Sequence, residues 1–319
     1  MKAFVTGANG FTGSHLIKLL QQKGHIVKGL VRSSSNLSRL EGCEVELIRG
    51  DITDRNALRK GMEGVDTVFH VAAYVELGLV DEAQMERVNV EGTRAVLEVA
   101  KEMGISKLVY CSTIGIFGDT QGVAIDETFE RQQKDFSSAY DRTKYEAQQW
   151  VDRFAAEGFP VVSVMPSGIF GLDDPHFAPV MQLFLKKRLW VWVGGDRVTG
   201  IVHVDDVAKA MILAAEKGRL GEYYILSAGD LTTREMLNIL AQKTEIPLPI
   251  EIPETLVRFL GNGFDLIGKI FSWNPPISRE RVHYIYDRCV RVKADKAYQE
   301  LGWQPRSVSE VMLEFLYQD

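Results

Sequence analysis

The sequence predicts an α/β fold in which a parallel sheet is doubly wound, with helices on both of its faces. Apolar segments that read as strands alternate with helical patterns along the first part of the chain. These strand segments are apolar throughout rather than at alternate positions, as expected for strands that are covered on both faces. The first of them ends in a glycine-rich turn that leads into a helix. Together these observations predict a Rossmann-type sheet with a smaller, discontinuous C-terminal substrate-binding region.

The composition argues against several classes of protein. The net charge of −6 disfavours general nucleic-acid binding, which needs a basic surface. The three cysteines, Cys43, Cys111 and Cys289, are too widely spaced for a zinc motif or a disulfide framework, which fits a reducing cytoplasm. No apolar run reaches the roughly 18–20 residues of a membrane span, and the chain starts directly with a strand pattern. We therefore expect a cytoplasmic protein with no membrane span and no bound metal.

The glycine-rich turn follows the first predicted strand, residues 2–6. The turn contains three glycines, Gly7, Gly10 and Gly13, with Phe11 between the last two. Helical periodicity runs from residue 14 to residue 23. Glycines let the backbone approach a pyrophosphate, and the start of a helix offers free N–H groups to it. A simple strand–helix turn is the alternative, but three glycines in this context favour a dinucleotide site. Their spacing differs from the commoner G-x-G-x-x-G pattern.

The end of the second predicted strand, residues 25–32, indicates which dinucleotide binds. Enzymes that use NAD usually place an acidic residue near this point to bind the ribose hydroxyl. This chain has Arg32 and Ser33 there, with Arg39 nearby, and a cation with hydroxyls suits a 2′-phosphate. We therefore predict NADP as the cofactor, with NAD as the alternative. In the simpler interpretation, Arg32 is a solvated strand end.

The next two strands supply small and polar side chains at their ends. The third strand ends at Asp51, and Asp54 is predicted to cap the helix that follows. The fourth strand contains His70 and leads into Ala72 and Ala73, where a flat ring could approach. We interpret His70 as a hydrogen-bonded core histidine rather than a catalytic group.

Tyr140 and Lys144 form the candidate acid/base pair. Their spacing of four residues places both side chains on one face of a predicted helix. The cation should favour the phenolate, so the pKa of Tyr140 is expected to fall. The fifth strand ends in Ser112 and Thr113, at the sheet edge where ligands bind, and a hydroxyl there could bind a substrate carbonyl.

The second half of the chain is less informative. Trp190 and Trp192 are predicted to share one face of a short strand, and Asp205 or Asp206 is predicted to cap a helix, with His203 in a structural role. The apolar segment 254–277 is interpreted as packing onto the main domain or as a substrate cover. An oligomer face and a lipid-leaning lid are the alternatives. Arg279 and Arg281 could meet the substrate.

Eight motifs in register resemble the extended short-chain dehydrogenase/reductases over roughly residues 1–230. The similarity is strongest to the branch that contains dihydroflavonol-4-reductase-like and hydroxysteroid-dehydrogenase-like enzymes of the NAD-dependent epimerase/dehydratase group. The motifs are TGANGFTG, GDITD, HVAA, NVEGT, YCST…FG, YDRTK, PSGIFG and VHVDDVAKA.

The resemblance implies a role for each matching residue. Tyr140 would be the proton donor and acceptor, and Lys144 would hold the nicotinamide ribose and lower the pKa of Tyr140. Thr113, with Ser112 beside it, matches the catalytic Ser/Thr, and Asn89 would support the structure. Further cofactor contacts would come from Asp51 and Ile52 beside the adenine and from Pro166 and Ser167 beside the nicotinamide.

Departures from the family pattern narrow the predicted chemistry. Ile114 and Gly115 follow Thr113, where sugar-nucleotide dehydratases have acidic residues. Gly168 and Thr199 stand where epimerases typically have the Asn and Arg that hold a nucleotide diphosphate, although Arg197 is close. These differences predict a less polar pocket without a nucleotide handle.

The leading hypothesis is an NADP-dependent oxidoreductase that reduces a small-molecule ketone or aldehyde, or oxidises the alcohol. Residues 1–166, rejoined by about 200–230, are interpreted as the NADP-binding domain, and residues 167–319 as mainly substrate-binding. An NAD-dependent sugar epimerase or dehydratase is the first alternative, and a non-catalytic dinucleotide-binding protein is the second. A homodimer through two helices of the main domain is expected by resemblance.

Overall fold

The computed structural model describes residues 1–271 and 273–317, which form fourteen strands and eleven α-helices. The strands are β1 (Lys2–Thr6), β2 (Ile26–Val31), β3 (Glu46–Arg49), β4 (Thr67–His70), β5 (Lys107–Cys111), β6 (Ala124–Ile125), β7 (Val161–Pro166), β8 (Gly168–Phe170), β9 (Val191–Trp192), β10 (Val198–His203), β11 (Tyr223–Leu226), β12 (Gly229–Thr232), β13 (Ile250–Glu251) and β14 (Arg291–Val292). The helices are α1 (Phe11–Gln22), α2 (Arg55–Met62), α3 (Glu82–Glu86), α4 (Gly92–Glu102), α5 (Ala139–Ala156), α6 (Ala178–Leu185), α7 (Val204–Lys217), α8 (Thr233–Thr244), α9 (Glu254–Phe271), α10 (Arg279–Tyr286) and α11 (Val308–Leu313).

The main sheet has seven strands in the order β3-β2-β1-β4-β5-β7-β11, and every neighbouring pair is parallel. The strand order reverses between β1 and β4. In open parallel sheets this switch point opens a crevice at the carboxyl ends of the strands, where ligands bind. The predicted Rossmann-type fold is confirmed.

Helices cover both faces of this sheet. Apolar residues of α1 and α7 pack into one core on one face, among them Leu16, Leu20 and Met211. Those of α2, α4 and α5, such as Leu58 and Val96, form a second core on the other face. Because both faces are covered, the strands need apolar side chains at every position, and this explains the continuous apolar runs in the sequence.

The C-terminal region adds three small sheets and a core of its own. In the largest, β10 pairs parallel with β8 and antiparallel with β12. Residues of α6, α8 and α11, including Phe184, Leu240 and Met312, pack together with Trp192. The chain leaves the main sheet after β7 and returns to it as β11, so the smaller region is discontinuous in sequence. Trp190 and Trp192 have different surroundings, because Trp190 is exposed whereas Trp192 is buried in this core.

The residue that caps α2 is the one that the sequence predicts, whereas the residue that caps α7 is a different one. The Asp54 side chain accepts from the N–H groups of Asn56 and Ala57, as predicted. At α7 the prediction of an aspartate cap is wrong, because Nδ1 of His203 accepts from the N–H of Asp205 at 3.1 Å. The carboxylate of Asp206 is fully buried and instead accepts from the N–H of Arg306 at 2.9 Å.

A charged network joins α1 to the start of α7. His15 donates from both ring nitrogens, to Asp205 at 2.7 Å and to Asp173 at 3.1 Å. Burial alone would lower the pKa of His15, but the hydrogen bonds and charges of the two carboxylates outweigh it and raise the pKa to about 9. The ring is therefore a cation at neutral pH, and it fixes α1 against the C-terminal half of the chain.

This network predicts a pH-dependent contribution to stability. The pKa of His15 is raised from its ordinary value of 6.5 to about 9, so its stabilisation is complete below about pH 6.5 and disappears as the pH rises through 9. The His15→Gln variant should be less stable than the wild type at pH 7, and the difference should narrow by about pH 10. Urea denaturation of both proteins at each pH measures this difference in the free energy of unfolding.

His25→Gln is the matched control. Burial lowers the pKa of His25, so this imidazole stays neutral from pH 7 upward. The difference in stability between the wild type and His25→Gln should therefore not narrow as the pH rises. A constant free-energy difference between wild type and His15→Gln across this range would contradict the assignment of charge to His15.

Candidate active site

A cavity of about 840 Å³ opens at the carboxyl ends of β1, β4, β5 and β7. It brings together residues that lie far apart in the sequence, because parallel strands end at a common edge. Of the predicted site residues, those in its wall are Gly7, Gly10, Phe11, Gly13, Arg32, Asp51, Ile52, Ala72, Ala73, Ser112, Thr113, Tyr140, Lys144, Pro166 and Ser167.

The glycine-rich turn forms one end of the cavity and has no space for side chains. Gly7 has a φ of +69°, and a Cβ atom there would lie 2.8 Å from the backbone of Ala72. A Cβ atom on Gly13 would lie 2.1 Å from the carbonyl oxygen of Gly7. Helix α1 starts at Phe11, earlier than the predicted residue 14, and no side chain caps it. Its first N–H groups are therefore available to an anionic ligand.

The ends of β2 and β3 form the part of the wall next to this turn. Arg32 is exposed there, and Asp51 accepts hydrogen bonds from the N–H of Thr53 at 3.0 Å and from Arg87 at 3.2 Å. Burial raises the pKa of Asp51, but the Thr53 hydrogen bonds and the charges of Arg87 and Arg32 lower it overall. Ser33 is exposed and is not in the cavity wall, because the chain turns away through a bond from the Arg32 N–H to Ser35 Oγ.

Two buried hydroxyls support the fit of a dinucleotide. Oγ of Ser112 and Oγ of Ser167 are buried in the cavity wall, and neither has a hydrogen-bond partner among residues 1–271 and 273–317. Buried polar groups are rarely left unpaired, so these two atoms indicate a polar ligand between β5 and β7. The glycine-rich turn fits a pyrophosphate at the other end of the same cavity. The residues present therefore fit a nicotinamide dinucleotide.

Tyr140 and Lys144 both lie on α5 and both face the cavity, as their spacing predicts. Lys144 is almost fully buried, and its Nζ donates to the hydroxyl of Tyr110 at 2.8 Å and to the carbonyl oxygen of Cys111 at 2.9 Å. Burial lowers the pKa of Lys144 to about 8. The ammonium group is therefore anchored to β5, next to the sheet edge where substrate would bind.

The predicted fall in the pKa of Tyr140 is wrong for this structure. Burial raises the pKa of the phenol, and the charge of the neighbouring Asp141 raises it further. Lys144 does not offset these effects, because its Nζ is directed to Tyr110 and Cys111. The phenol is therefore protonated at neutral pH, which is the form that a proton donor needs.

The two hydroxyls at the end of β5 differ in their hydrogen bonds. Oγ1 of Thr113 caps a short 3₁₀ turn, Ile114–Phe117, by accepting from the N–H of Gly115 at 3.1 Å. This leaves its own proton free to be donated, whereas Ser112 Oγ has no partner in the part of the chain that the structure describes. Both residues can thus offer a hydrogen bond to a ligand oxygen.

Two other polar residues near the sheet have structural roles. His70 is buried between the hydroxyls of Thr6 at 2.8 Å and Thr93 at 2.9 Å, which confirms its interpretation as a core histidine. Asn89 donates to Thr143 Oγ1 at 3.0 Å and accepts from the N–H of Tyr74 at 2.7 Å, so it ties a loop at the cavity to α5.

The structure adds two residues that the sequence did not indicate, Tyr284 and Arg288, and places Arg197 beside them. Tyr284 lies in the cavity wall between two guanidinium groups, with Arg197 at 4.7 Å and Arg288 at 4.5 Å from its ring centroid. Arg288 pairs with the buried Asp141 at 3.2 Å. Arg197 has no carboxylate partner among the described residues. The pocket that the sequence predicts to be less polar thus has two guanidinium groups in its wall.

The sequence offered no signal that separates Arg288 from its neighbours in the chain. Arg279 is exposed and lies outside the cavity wall, and Arg281 pairs with Glu76 at 3.1 Å. Arg279 and Arg281 thus lie outside the cavity wall, which Arg288 lines instead. Only the path of the chain after α10 distinguishes these arginines.

Two features are absent from the described residues. Across residues 1–271 and 273–317 there is no cluster of His, Cys, Asp and Glu that could hold a metal ion. No helix in the same part of the chain has the length and apolar character needed to cross a membrane.

Comparisons with known proteins agree with this architecture. A ketoreductase of Stigmatella aurantiaca that acts on 4-hydroxy-2-methyl-3-oxo-4-farnesyl-3,4-dihydroquinoline-1-oxide is 32% identical over 324 residues, covering 100% of this chain and 96% of its own. Sterol demethylase protein B of Methylococcus capsulatus is 30% identical, covering 96% of this chain and 94% of its own. The UDP-glucose 4-epimerase of Thermotoga maritima, solved with UDP-glucose, shares the fold with a TM-score of 0.79 at 23% identity, covering 99% of this chain and 98% of that chain.

The family comparison covers most of the chain. Residues 3–227 match the NAD dependent epimerase/dehydratase family, a range that includes the glycine-rich turn, Tyr140 and Lys144. This range agrees with the part of the sequence whose motifs show the resemblance. The chain is an enzyme of the NAD-dependent epimerase/dehydratase family, within the extended short-chain dehydrogenase/reductases.

Proposed function

We propose that the protein is an NADP-dependent oxidoreductase that reduces a ketone or aldehyde to an alcohol, or catalyses the reverse reaction. The observation that carries the proposal is the shared cavity. A protonated phenol, Tyr140, and two hydroxyls, Ser112 and Thr113, line the same space as the glycine-rich turn. This arrangement provides a proton donor and hydrogen-bond donors within reach of one bound dinucleotide.

In this mechanism Tyr140 and the hydroxyls of β5 act on the carbonyl oxygen. Ser112 or Thr113 donates a hydrogen bond that orients this oxygen and stabilises its developing negative charge. Tyr140 then transfers its phenolic proton to the oxygen, and in the reverse direction the phenolate takes the proton back. A nicotinamide, when bound, supplies or accepts the hydride.

Lys144 supports the reaction through its position beside the cofactor site. A pKa of about 8 keeps most of the ammonium protonated at neutral pH. Because Nζ is directed to Tyr110 and Cys111 rather than to Tyr140, the role of Lys144 is to bind the ribose of the cofactor while it keeps its bond to the carbonyl oxygen of Cys111.

The preference for NADP rests on the charge at the end of β2. Arg32 lies in the cavity wall where an acidic residue would bind the unphosphorylated ribose. Arg39 is also near the glycine-rich turn, since its guanidinium lies 5.5 Å from the ring centroid of Phe11, but it pairs with Asp173 at 3.6 Å. Arg32 is therefore the cation that is available to a 2′-phosphate.

The substrate end of the cavity favours an apolar carbonyl compound. Much of its wall there is apolar, with Tyr74, Val75, Val88, Ile169 and Val290. The two relatives described above are named for a farnesyl-bearing ketone and for a sterol, which are apolar molecules. We propose a lipophilic ketone or its alcohol as the substrate class.

Arg197 favours a second candidate function. A half-buried guanidinium without a carboxylate partner can bind an anionic group, and a nucleotide diphosphate supplies one. The protein would then be an NAD-dependent sugar epimerase or dehydratase. Against this stand Arg32, which disfavours NAD, and the absence of acidic residues directly after Thr113.

A turnover assay separates the two candidates. Purified protein is mixed with NADPH and, in separate reactions, with lipophilic ketones, with aldehydes and with UDP-sugars. We expect NADPH to be consumed with a lipophilic ketone and no conversion of UDP-sugars. Conversion of a UDP-sugar without net NADPH loss would establish the second function instead, and cofactor binding with no turnover would identify a dinucleotide-binding protein.

Removal of the proposed proton donor should abolish most of the activity. The Tyr140→Phe variant keeps the ring but loses the acidic proton, so turnover should fall by roughly 10²–10⁴-fold while NADPH still binds. Steady-state kinetics measure the turnover, and nucleotide fluorescence measures the binding. Tyr317→Phe, at an exposed position, is the control and should behave like the wild type. Undiminished turnover in Tyr140→Phe would disprove the role.

Reversal of the charge at the end of β2 should change the cofactor preference. Arg32→Glu should weaken NADPH binding by roughly 10–100-fold, because a hydrogen bond to a charged group is lost, and should improve the use of NADH. The ratio of kcat/KM for the two cofactors measures this change. Lys18→Glu, on an exposed position of α1, is the control for the same change in net charge. An unchanged ratio in Arg32→Glu would remove the argument for NADP.

Three expectations stay predictions from the sequence. They are a homodimer through two helices of the main domain, a cytoplasmic location and the division of the chain near residue 166.

A further inference from the structure

Helix α9 (Glu254–Phe271) presents an apolar face to solvent. Phe259 is 74% exposed, Ile270 is 67% exposed and Phe271 is 73% exposed. Large apolar side chains are normally exposed singly, so a row along one helix needs an explanation. We call this row the α9 face; its residues are Leu256, Phe259, Leu266, Ile267, Ile270 and Phe271.

The α9 face cannot turn inward, because the neighbouring side of the helix is already packed. Val257 is fully buried, and Gly261 and Gly268 bring the helix close to α10 and to the segment before it. A Cβ atom on Gly261 would lie 2.8 Å from Val282, and one on Gly268 would lie 2.7 Å from Leu79. Packing onto the protein, as the sequence analysis suggested, therefore accounts for one side of α9 and leaves the α9 face uncovered.

A basic and aromatic segment, residues 186–190, lies next to the start of α9. Lys186, Lys187 and Arg188 are all exposed, and none has a carboxylate partner in the described part of the chain. They precede Trp190, which is 78% exposed. Three unpaired cations beside an exposed tryptophan stand out on a protein whose net charge is −6.

Backbone hydrogen bonds join this segment to the start of α9. The N–H of Ile250 donates to the carbonyl oxygen of Trp190 at 2.9 Å, so β13 lies against β9. Val191 and Ile250 form a register pair in these strands, and both side chains are exposed. Helix α9 starts at Glu254, directly after this strand pair. The cations, the tryptophan and the α9 face thus belong to adjoining elements.

We propose that α9 and the segment Lys186–Val191 bind the surface of an anionic phospholipid bilayer. Phe, Ile and Leu side chains on one side of a helix insert between headgroups and acyl chains, and tryptophan prefers the same interface. Lysine and arginine beside them are attracted to anionic headgroups. The α9 face supplies the first set of groups and residues 186–190 supply the second.

The position of α9 links this surface to the cavity. Asn274, just after α9, donates to the carbonyl oxygen of Leu77 at 3.0 Å, and α10 brings Tyr284 into the cavity wall. The loop that contains Leu77 contributes Tyr74 and Val75 to the same wall. A bilayer in contact with α9 would therefore lie near the substrate end of the cavity. The binding proposal itself does not depend on which reaction the protein catalyses.

Vesicle co-sedimentation tests the proposal with the full chain. Extruded vesicles of phosphatidylcholine alone, and of phosphatidylcholine mixed with phosphatidylglycerol, are incubated with the protein at low and at high salt. We expect binding to the mixed vesicles that rises with the phosphatidylglycerol fraction and falls with salt. Binding should be weak on phosphatidylcholine alone.

Two pairs of substitutions assign the binding to these residues. Phe259→Ser with Ile270→Ser removes apolar groups from the α9 face, and Lys186→Glu with Lys187→Glu reverses two charges. Each pair should weaken vesicle binding by roughly tenfold or more. Leu220→Ser, another exposed apolar residue, and Lys23→Glu are the controls and should bind like the wild type. Circular dichroism and NADPH binding verify that every variant is folded.

Three results would overturn the proposal. The first is a wild-type protein that does not sediment with vesicles of any composition. The second is binding that neither substitution pair weakens. The third is a dimer, seen by analytical ultracentrifugation, that Phe259→Ser with Ile270→Ser dissociates in a protein that does not bind vesicles, since a second copy of the chain would then cover the α9 face.

Discussion

The site depends on one constraint. There is no space for side chains where the carboxyl ends of β1 and β4 meet the glycine-rich turn. The backbone of Gly7 approaches that of Ala72, and Gly13 approaches the carbonyl oxygen of Gly7, so α1 starts immediately after the sheet. This close packing points the uncapped N-terminus of α1 into the crevice at the switch point of the sheet. The remaining parts of the cavity are arranged around this point, since β5 and β7 bring their hydroxyls to the same edge.

Buried cations determine what the cavity can bind and how it can react. Lys144 is held by Tyr110 and by the backbone of β5, Arg288 is paired with Asp141, and Arg197 faces Tyr284 without a carboxylate. Burial of charge is costly, so each of these groups must be compensated by a partner or by a ligand. The first two are compensated within the protein, while the half-buried Arg197 has the side chain of Tyr284 and the more distant charge of Asp141, and it forms no ion pair with a carboxylate among the described residues.

The sequence predicts the fold and most of the cavity because these depend on local patterns. Glycine spacing, apolar runs and the Tyr140–Lys144 spacing each reflect geometry within a few residues of chain, and the structure places all of these residues as expected. The pKa of Tyr140 could not be predicted this way, because burial depends on the whole fold and exceeds the effect of one neighbouring cation. The pairing of Arg288 with Asp141 also depends on a contact between distant segments. The cap formed by His203 is local, but aspartate is the commoner capping residue, so the sequence predicts one of the two aspartates that follow His203 instead.

The buried carboxylate of Asp206 has a consequence for the order in which the protein folds during synthesis. Within α7 the ammonium of Lys209 donates to this carboxylate at 2.9 Å, so the charge has a partner as soon as the helix forms. Its other partner is the N–H of Arg306 at 2.9 Å, one hundred residues later, and the indole of Trp303 donates to the backbone carbonyl oxygen of Asp206 at 2.8 Å. The strands β1 to β7 leave the ribosome well before residues 303–306 do. The last contacts that hold α7 in place are therefore made late in translation, although most residues of the nucleotide-binding layer are made first.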